Sequence, residues 1–172
     1  MATSGHRSHM PDGSVYILRQ PSEETGGESV EMEFVLPGDC VAPPPHVHRQ
    51  QVEEFEVLEG TFDVMVDGEW TTLQPGQSAQ VPLGALHTFR NPTDRVVRVR
   101  NWHRPALRFE EFIERTSQTL RAAGVTRRRD PRIPLYLSAV MLEFDETLAP
   151  GRRRERLPMK AMAWLARLLP EP

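Results

Sequence analysis

The chain of 172 residues has one cysteine, Cys40, so no internal disulfide can form. It has no cleavable leader pattern and no apolar run of membrane length. These absences point to the reducing cytoplasm and away from a membrane. No internal repeat, phosphate loop or Ser/His/Asp set is present, which removes the commonest signatures of nucleotide chemistry and nucleophilic hydrolysis. Hydrophobic residues make up 38%, a modest share, yet the length suffices to bury one core. Two arginine runs, Arg127 to Arg129 and Arg152 to Arg154, stand in a chain of net charge -3 with acids interleaved and no recognised binding motif, so no nucleic-acid partner is expected.

Three regions differ in texture. Residues 1–13 are rich in Ser, Gly and His and read as a disordered N-terminal segment. Residues 14–104 read as all β, with short β-rich runs bounded by Gly, Pro and Asp turns, among them a strong two-residue hairpin signal at Asp67-Gly68. Expected strands cover 15–19, 30–36, 41–48, 54–58, 61–66, 69–73, 78–81, 87–91 and 96–102. Residues 105–172 turn helical: Phe109, Phe112, Ile113, Thr116 and Leu120 recur at three- and four-residue spacing, and Gly124 sits where a helix would stop. A second stripe runs from Ile133 to Leu148 and a third from Met159 to Leu169. These helices are expected to pack on the β domain or on a partner subunit.

Three histidines and a glutamate, His46, His48, Glu53 and His87, are spaced as metal ligands. On an extended strand alternate side chains share a face, so His46 and His48 point the same way past Val47. His87 must arrive from a different strand, which demands a folded sheet. Imidazole nitrogens and one carboxylate suit a single divalent transition metal ion, Fe, Mn, Ni, Co, Cu or Zn, and four protein ligands leave one or two positions open. Burying these groups without an ion would demand a compensating hydrogen bond for each.

Residues 38 to 91 resemble the two motifs of the cupin superfamily. The first reads Gly38, His46, His48, Glu53 and Gly60, and the second reads Gly76, Pro82, Gly84, His87 and Asn91. Seven residues, where the family has five, separate Gly38 from His46, and Pro43, Pro44 and Pro45 fall among them, so the strand start is displaced while the ligands keep their places. The six-residue gap to Gly60 selects Glu53 over Glu54 as the acid. The resemblance implies a mainly β fold, a jelly-roll barrel, here with a C-terminal α-helical extension. Around the first motif, Pro-Pro-Pro-His-Val-His and Glu-Glu-Phe-Glu-Val-Leu-Glu-Gly are similar to single-domain cupins of the bacterial quercetin dioxygenase-like group. That similarity implies dioxygen chemistry, with Glu53 as both ligand and proton acceptor.

Strand parity sets Phe55 and Val57 on the face of Glu53, and Phe89 on that of His87, so these three are expected to line an apolar substrate pocket. Met32 with Phe34, or Phe62 with Val64, could extend it. Arg98, Arg100 and His103 on the last strand are candidates for an anion at the mouth or for plain surface. The expected function is a metal-dependent dioxygenase for a small apolar or aromatic oxygen-bearing molecule. A metal-dependent isomerase, lyase or polyketide-type cyclase is the second reading, and a non-catalytic binding or sensing barrel the third. The expected partners are that small molecule and a second copy of the chain.

Overall fold

In the computed structural model, residues 3–38, 40–151 and 153–169 are described. Met1 and Ala2 of the expected disordered segment, and Arg152 of the second arginine run, lie outside them. Among the described residues, strands and α-helices follow in order: β1 Arg7–His9, β2 Val15–Gln20, β3 Val30–Leu36, β4 His46–Val47, β5 Val52–Glu59, β6 Phe62–Val66, β7 Glu69–Leu73, β8 Ser78–Val81, β9 His87–Arg90 and β10 Val97–Arg104, then α1 Phe109–Ala122, α2 Ile133–Glu143, β11 Ala149–Pro150 and α3 Arg156–Ala166. Two antiparallel sheets result, ordered β1-β2-β3-β10-β5-β8 and β11-β4-β9-β6-β7. From β3 to β6 the chain passes from one sheet to the other at each strand, and again from β8 to β10. The sheets therefore face each other across one core, built from Phe34, Phe55, Val57, Val97 and Val99 of the first and Phe62, Val64 and Phe89 of the second.

Local chemistry explains most element ends. Asp67 and Gly68 both take positive φ, 50° and 94°, the conformation a tight two-residue hairpin needs between β6 and β7. Gly38 lies against backbone: a Cβ there would stand 2.3 Å from the carbonyl carbon of Asp94. α1 ends where Gly124 adopts φ 63°.

Three departures from expectation have physical causes. The segment 1–13, expected to be disordered on composition, contains β1, which pairs with β2 from Arg7↔Ile17 to His9↔Val15; long-range pairing supplies order that the local sequence does not. The strand expected over 41–48 shrinks to His46–Val47, because three prolines ahead of it cannot donate ladder hydrogen bonds. The C-terminal extension is not purely helical, since β11 returns to pair with β4, Ala149↔Val47 and Pro150↔His46. None of the described helices is long and apolar enough to cross a membrane.

Candidate metal centre

The four expected ligands converge, all buried, with one donor atom from each within 4.8 Å of the others. The strand ladder brings them together: His46 sits opposite His87 across β4 and β9, and Glu53 projects inward from β5. Two donors on opposite sides of an ion stand about 4.2 Å apart at metal–nitrogen distances near 2.1 Å, so the cluster fits a first-row ion with a few tenths of an ångström of closure. Glu54, by contrast, faces outward to Arg104 at 2.8 Å, as strand parity requires.

The histidines are oriented by the backbone. The Nδ1 of His46 donates to the Pro44 carbonyl at 2.9 Å, that of His48 to the Thr147 carbonyl at 2.6 Å, and that of His87 to the Ala85 carbonyl at 3.0 Å. A carbonyl only accepts, so each Nδ1 carries a hydrogen, and the uncharged form of each ring leaves a bare Nε2 lone pair. His48 Nε2, His87 Nε2 and Glu53 Oε2 are buried without an aligned hydrogen bond, although His87 Nε2 lies 2.9 Å and His48 Nε2 3.6 Å from Glu53 Oε2. Orphaned buried acceptors pointing at one spot are costly alone and are satisfied together by a cation. The residues present therefore fit a divalent transition metal.

Electrostatics agree. Burial opposes ionising Glu53, but the imidazoles around it, His103 foremost and then His48 and His87, hold its carboxyl well below the ordinary range. Burial first, then the neighbouring His87 and His48, push His46 well below 6.5, so it is neutral. His87 moves the other way: burial lowers it, yet Glu53 alongside raises it on balance. Proton and metal thus compete for the same His87 nitrogen.

A cavity of about 190 Å³ opens onto the cluster through His46 and Glu53. Phe89 lines it. Phe55 and Val57, expected on its wall, are instead fully buried in the core beneath. Parity gives the face of a strand, not the depth along it. Phe34 is on the wall and Met32 is not. Most of the wall comes from elements with no recognisable motif: Phe109, Phe112 and Ile113 of α1, Ile133, Leu137 and Met141 of α2, and Met10 after β1. Tyr16 joins them, its ring edge-on to Phe34 at 4.7 Å; burial first, then Asp12, Cys40 and Glu53, push its phenol up, so it remains a neutral donor.

Two residues of β10 were missed as parts of the centre. Asn101 donates to Glu53 Oε1 at 2.9 Å, and His103 Nε2 lies 3.2 Å from the same oxygen. His103 is 0% exposed and stacks on Phe109 at 3.5 Å between centroids. Burial, outweighing the pull of Glu53, lowers its pKa to about 4. Arg98 and Arg100, grouped with it in the sequence, face outward to Glu33 and to Glu31 with Glu56. The signal was available, because residues 98 and 100 differ in parity from 101 and 103.

Comparison with known proteins gives a domain. The cupin domain family matches residues 32–103. Quercetin 2,3-dioxygenase of Bacillus subtilis strain 168 is 33% identical over 69 residues, 40% of this chain and 20% of that protein. Mannose-1-phosphate guanylyltransferase of Escherichia coli K12 is 38% identical over 58 residues, 34% of this chain and 12% of that one. The chain thus spans a fifth or less of these relatives, whose named activities differ, so the match carries a domain and not a reaction. An RmlC-like cupin from Shewanella frigidimarina shares the fold at TM-score 0.53 and 23% identity, over 63% of this chain and 88% of that one. A protein from Thermus thermophilus does so at TM-score 0.50 and 27% identity, over 57% and 89%. With the paired sheets, the two motifs and the buried His46, His48, Glu53 and His87 cluster already in place, these matches identify residues 32–103 as a cupin domain.

Proposed function

We propose that the protein is a metal-dependent cupin enzyme, most simply a dioxygenase, acting on a small apolar or aromatic molecule that bears a hydroxyl or enol. One observation carries this reading: two of the four convergent donors, His46 and Glu53, open onto a largely apolar cavity. A bound redox-capable ion would supply a Lewis acid and electrons to dioxygen there. The chain's own residues do the rest. Phe34, Phe89 and Phe109 exclude water and hold a flat apolar body, and Tyr16 donates a hydrogen bond to a substrate oxygen. Glu53, held as a carboxylate, accepts the proton of the substrate hydroxyl as that group arrives at the cluster. The similarity to a quercetin 2,3-dioxygenase over 69 residues supports the dioxygen reading.

The test uses protein purified without an affinity tag. Its metal is identified, and oxygen uptake is followed with a panel of aromatic enols and phenols. Metal-dependent uptake supports the dioxygenase; metal-dependent turnover of the same panel without oxygen assigns isomerase or lyase chemistry instead. Absence of stoichiometric metal overturns both. In the Glu53→Gln protein we expect turnover to fall about 10²- to 10⁴-fold, with a smaller loss of metal.

We also propose a homodimer in the cytoplasm. Leu157, Trp164 and Leu168, in and just after α3, are exposed at spacings that share a helix face, a surface suited to a second copy. A monomer by light scattering at micromolar concentration would refute the dimer.

A further inference from the structure

His103 lies outside the ligand set and outside both cupin motifs, yet it is as deeply buried as any ligand. It stands directly opposite Glu53 in the β5–β10 register, and Asn101 stands opposite Phe55. The two oxygens of Glu53 are divided between two environments. Oε2 turns to His87 and His48, while Oε1 turns to Asn101 Nδ2 at 2.9 Å and His103 Nε2 at 3.2 Å. A carboxylate free to rotate can bind an ion through both oxygens and occupy a position that a substrate needs. One whose second oxygen is already engaged binds through a single oxygen.

Packing alone gives a poor account of an imidazole here. Its flat face is satisfied by the Phe109 stack, which a phenyl ring would make equally well, and both ring nitrogens are buried without an aligned hydrogen bond. Such unsatisfied atoms cost stability, so an apolar ring would be the more stable occupant. The nitrogens must act on something, and the group within reach is Glu53 Oε1.

Resting on the reading of the cluster as a metal centre, we infer that His103, together with Asn101, is a positioning residue that retains Oε1 of Glu53, so that Glu53 ligates through Oε2 alone and one coordination position stays open to substrate. Neither residue touches the substrate in this scheme. The stack on Phe109 ties the same imidazole to α1, so a cavity wall and the carboxylate that faces the ion share one buried ring.

The experiment reads metal binding, not turnover, in the full chain. Co(II) affinity is measured by competition with a chromophoric chelator, alongside the visible spectrum of the Co(II) protein and the melting temperature of the chelator-stripped protein. His103→Phe keeps the ring and removes the nitrogens; we expect Co(II) affinity to fall about 10- to 100-fold, with a changed spectrum and an undiminished metal-free melting temperature. His103→Gln retains an N–H donor, and we expect it to return affinity to within about three-fold of the parent. Asn101→Ala, which leaves the stack intact, gives a smaller loss in the same direction. Wild-type affinity and spectrum in both His103→Phe and Asn101→Ala would overturn the inference. So would equal losses in the Phe and Gln variants accompanied by lower metal-free melting temperatures, which mark a packing role. Failure of the parent protein to take up one Co(II) would instead remove the metal centre itself, and the inference with it.

Discussion

The two faces of the β3–β10–β5 ladder carry the same kinds of acid and treat them in opposite ways. Outside, every carboxylate meets a permanent cation: Glu33 takes Arg19 and Arg98, Arg100 lies between Glu31 and Glu56 at 3.3 and 3.2 Å, and Arg104 reaches Glu54. Inside, Glu53 meets three imidazoles and an amide. The outer acids are neutralised by the chain itself. The inner acid sits among imidazoles and an amide, with no permanent cation, in a place where an uncompensated charge is expensive, a setting that a cation from outside could complete. Alternation along β5 alone, Glu53 in and Glu54 out, separates the two regimes by one residue.

The largest effect should come from breaking the inner face. In His87→Ala or His46→Ala we expect stoichiometric metal to be lost, read by elemental analysis of tag-free protein; normal metal content in His87→Ala would refute the assignment. The parent protein, stripped with chelator and reloaded at about a hundredfold excess over the dissociation constant, should gain roughly 2.7 kcal/mol and so about 5 to 10 °C in melting temperature. His87→Ala should gain nothing. An equal rise in both would place the stabilising ion elsewhere.

Breaking the outer face at its most buried acid should cost less and should depend on pH. Burial pushes the Glu33 carboxyl up, but hydrogen bonds and charge from Arg19 and Arg98 outweigh it and hold it below the ordinary 4.5. A folded-state pKa below the unfolded one gives stability that is present in full above 4.5 and is lost as pH falls through the folded value. Glu33→Gln should therefore cost about 1 to 2 kcal/mol at pH 7, discounted because both arginines are more than two-fifths exposed. The gap to the parent should close on acidification below 4.5. A gap unchanged down to the acid limit would show that Glu33 acts through packing.

Legibility followed locality. The period-two alternation of β5 and the turn residues Asp67, Gly68 and Gly84 act within a few residues, so the strands, the hairpin and the inward Glu53 could be read directly; Gly84 takes φ 74° as its turn demands. The quartet was legible because its spacing repeats a known pattern. The cavity was not, because Phe109, Leu137 and Met10 reach it from three distant segments, and their helical or polar contexts carry no sign of a shared target. Likewise the Thr147 carbonyl, 99 residues from His48, has no side-chain identity to betray it. His103 is the instructive case. Its parity was readable, but its grouping with Arg98 and Arg100 by charge concealed it.

The smallest expected effect sharpens the contrast most. Arg100 and Glu56 sit on the outer face with side chains 41% and 30% exposed, at a separation of 3.2 Å. Water screens such a pair, and ordering two long side chains offsets most of the Coulomb gain, so Glu56→Gln should change stability by no more than about 0.5 kcal/mol. Arg100 keeps Glu31 as a second partner, which reduces the loss further. Any difference should shrink in 1 M salt, where charges are screened within a few ångströms. Glu53→Gln, three positions away on the same strand, should respond to metal and hardly to salt. If the two variants showed the same salt dependence, the distinction between a self-neutralised outer face and an inner face awaiting its cation would fail.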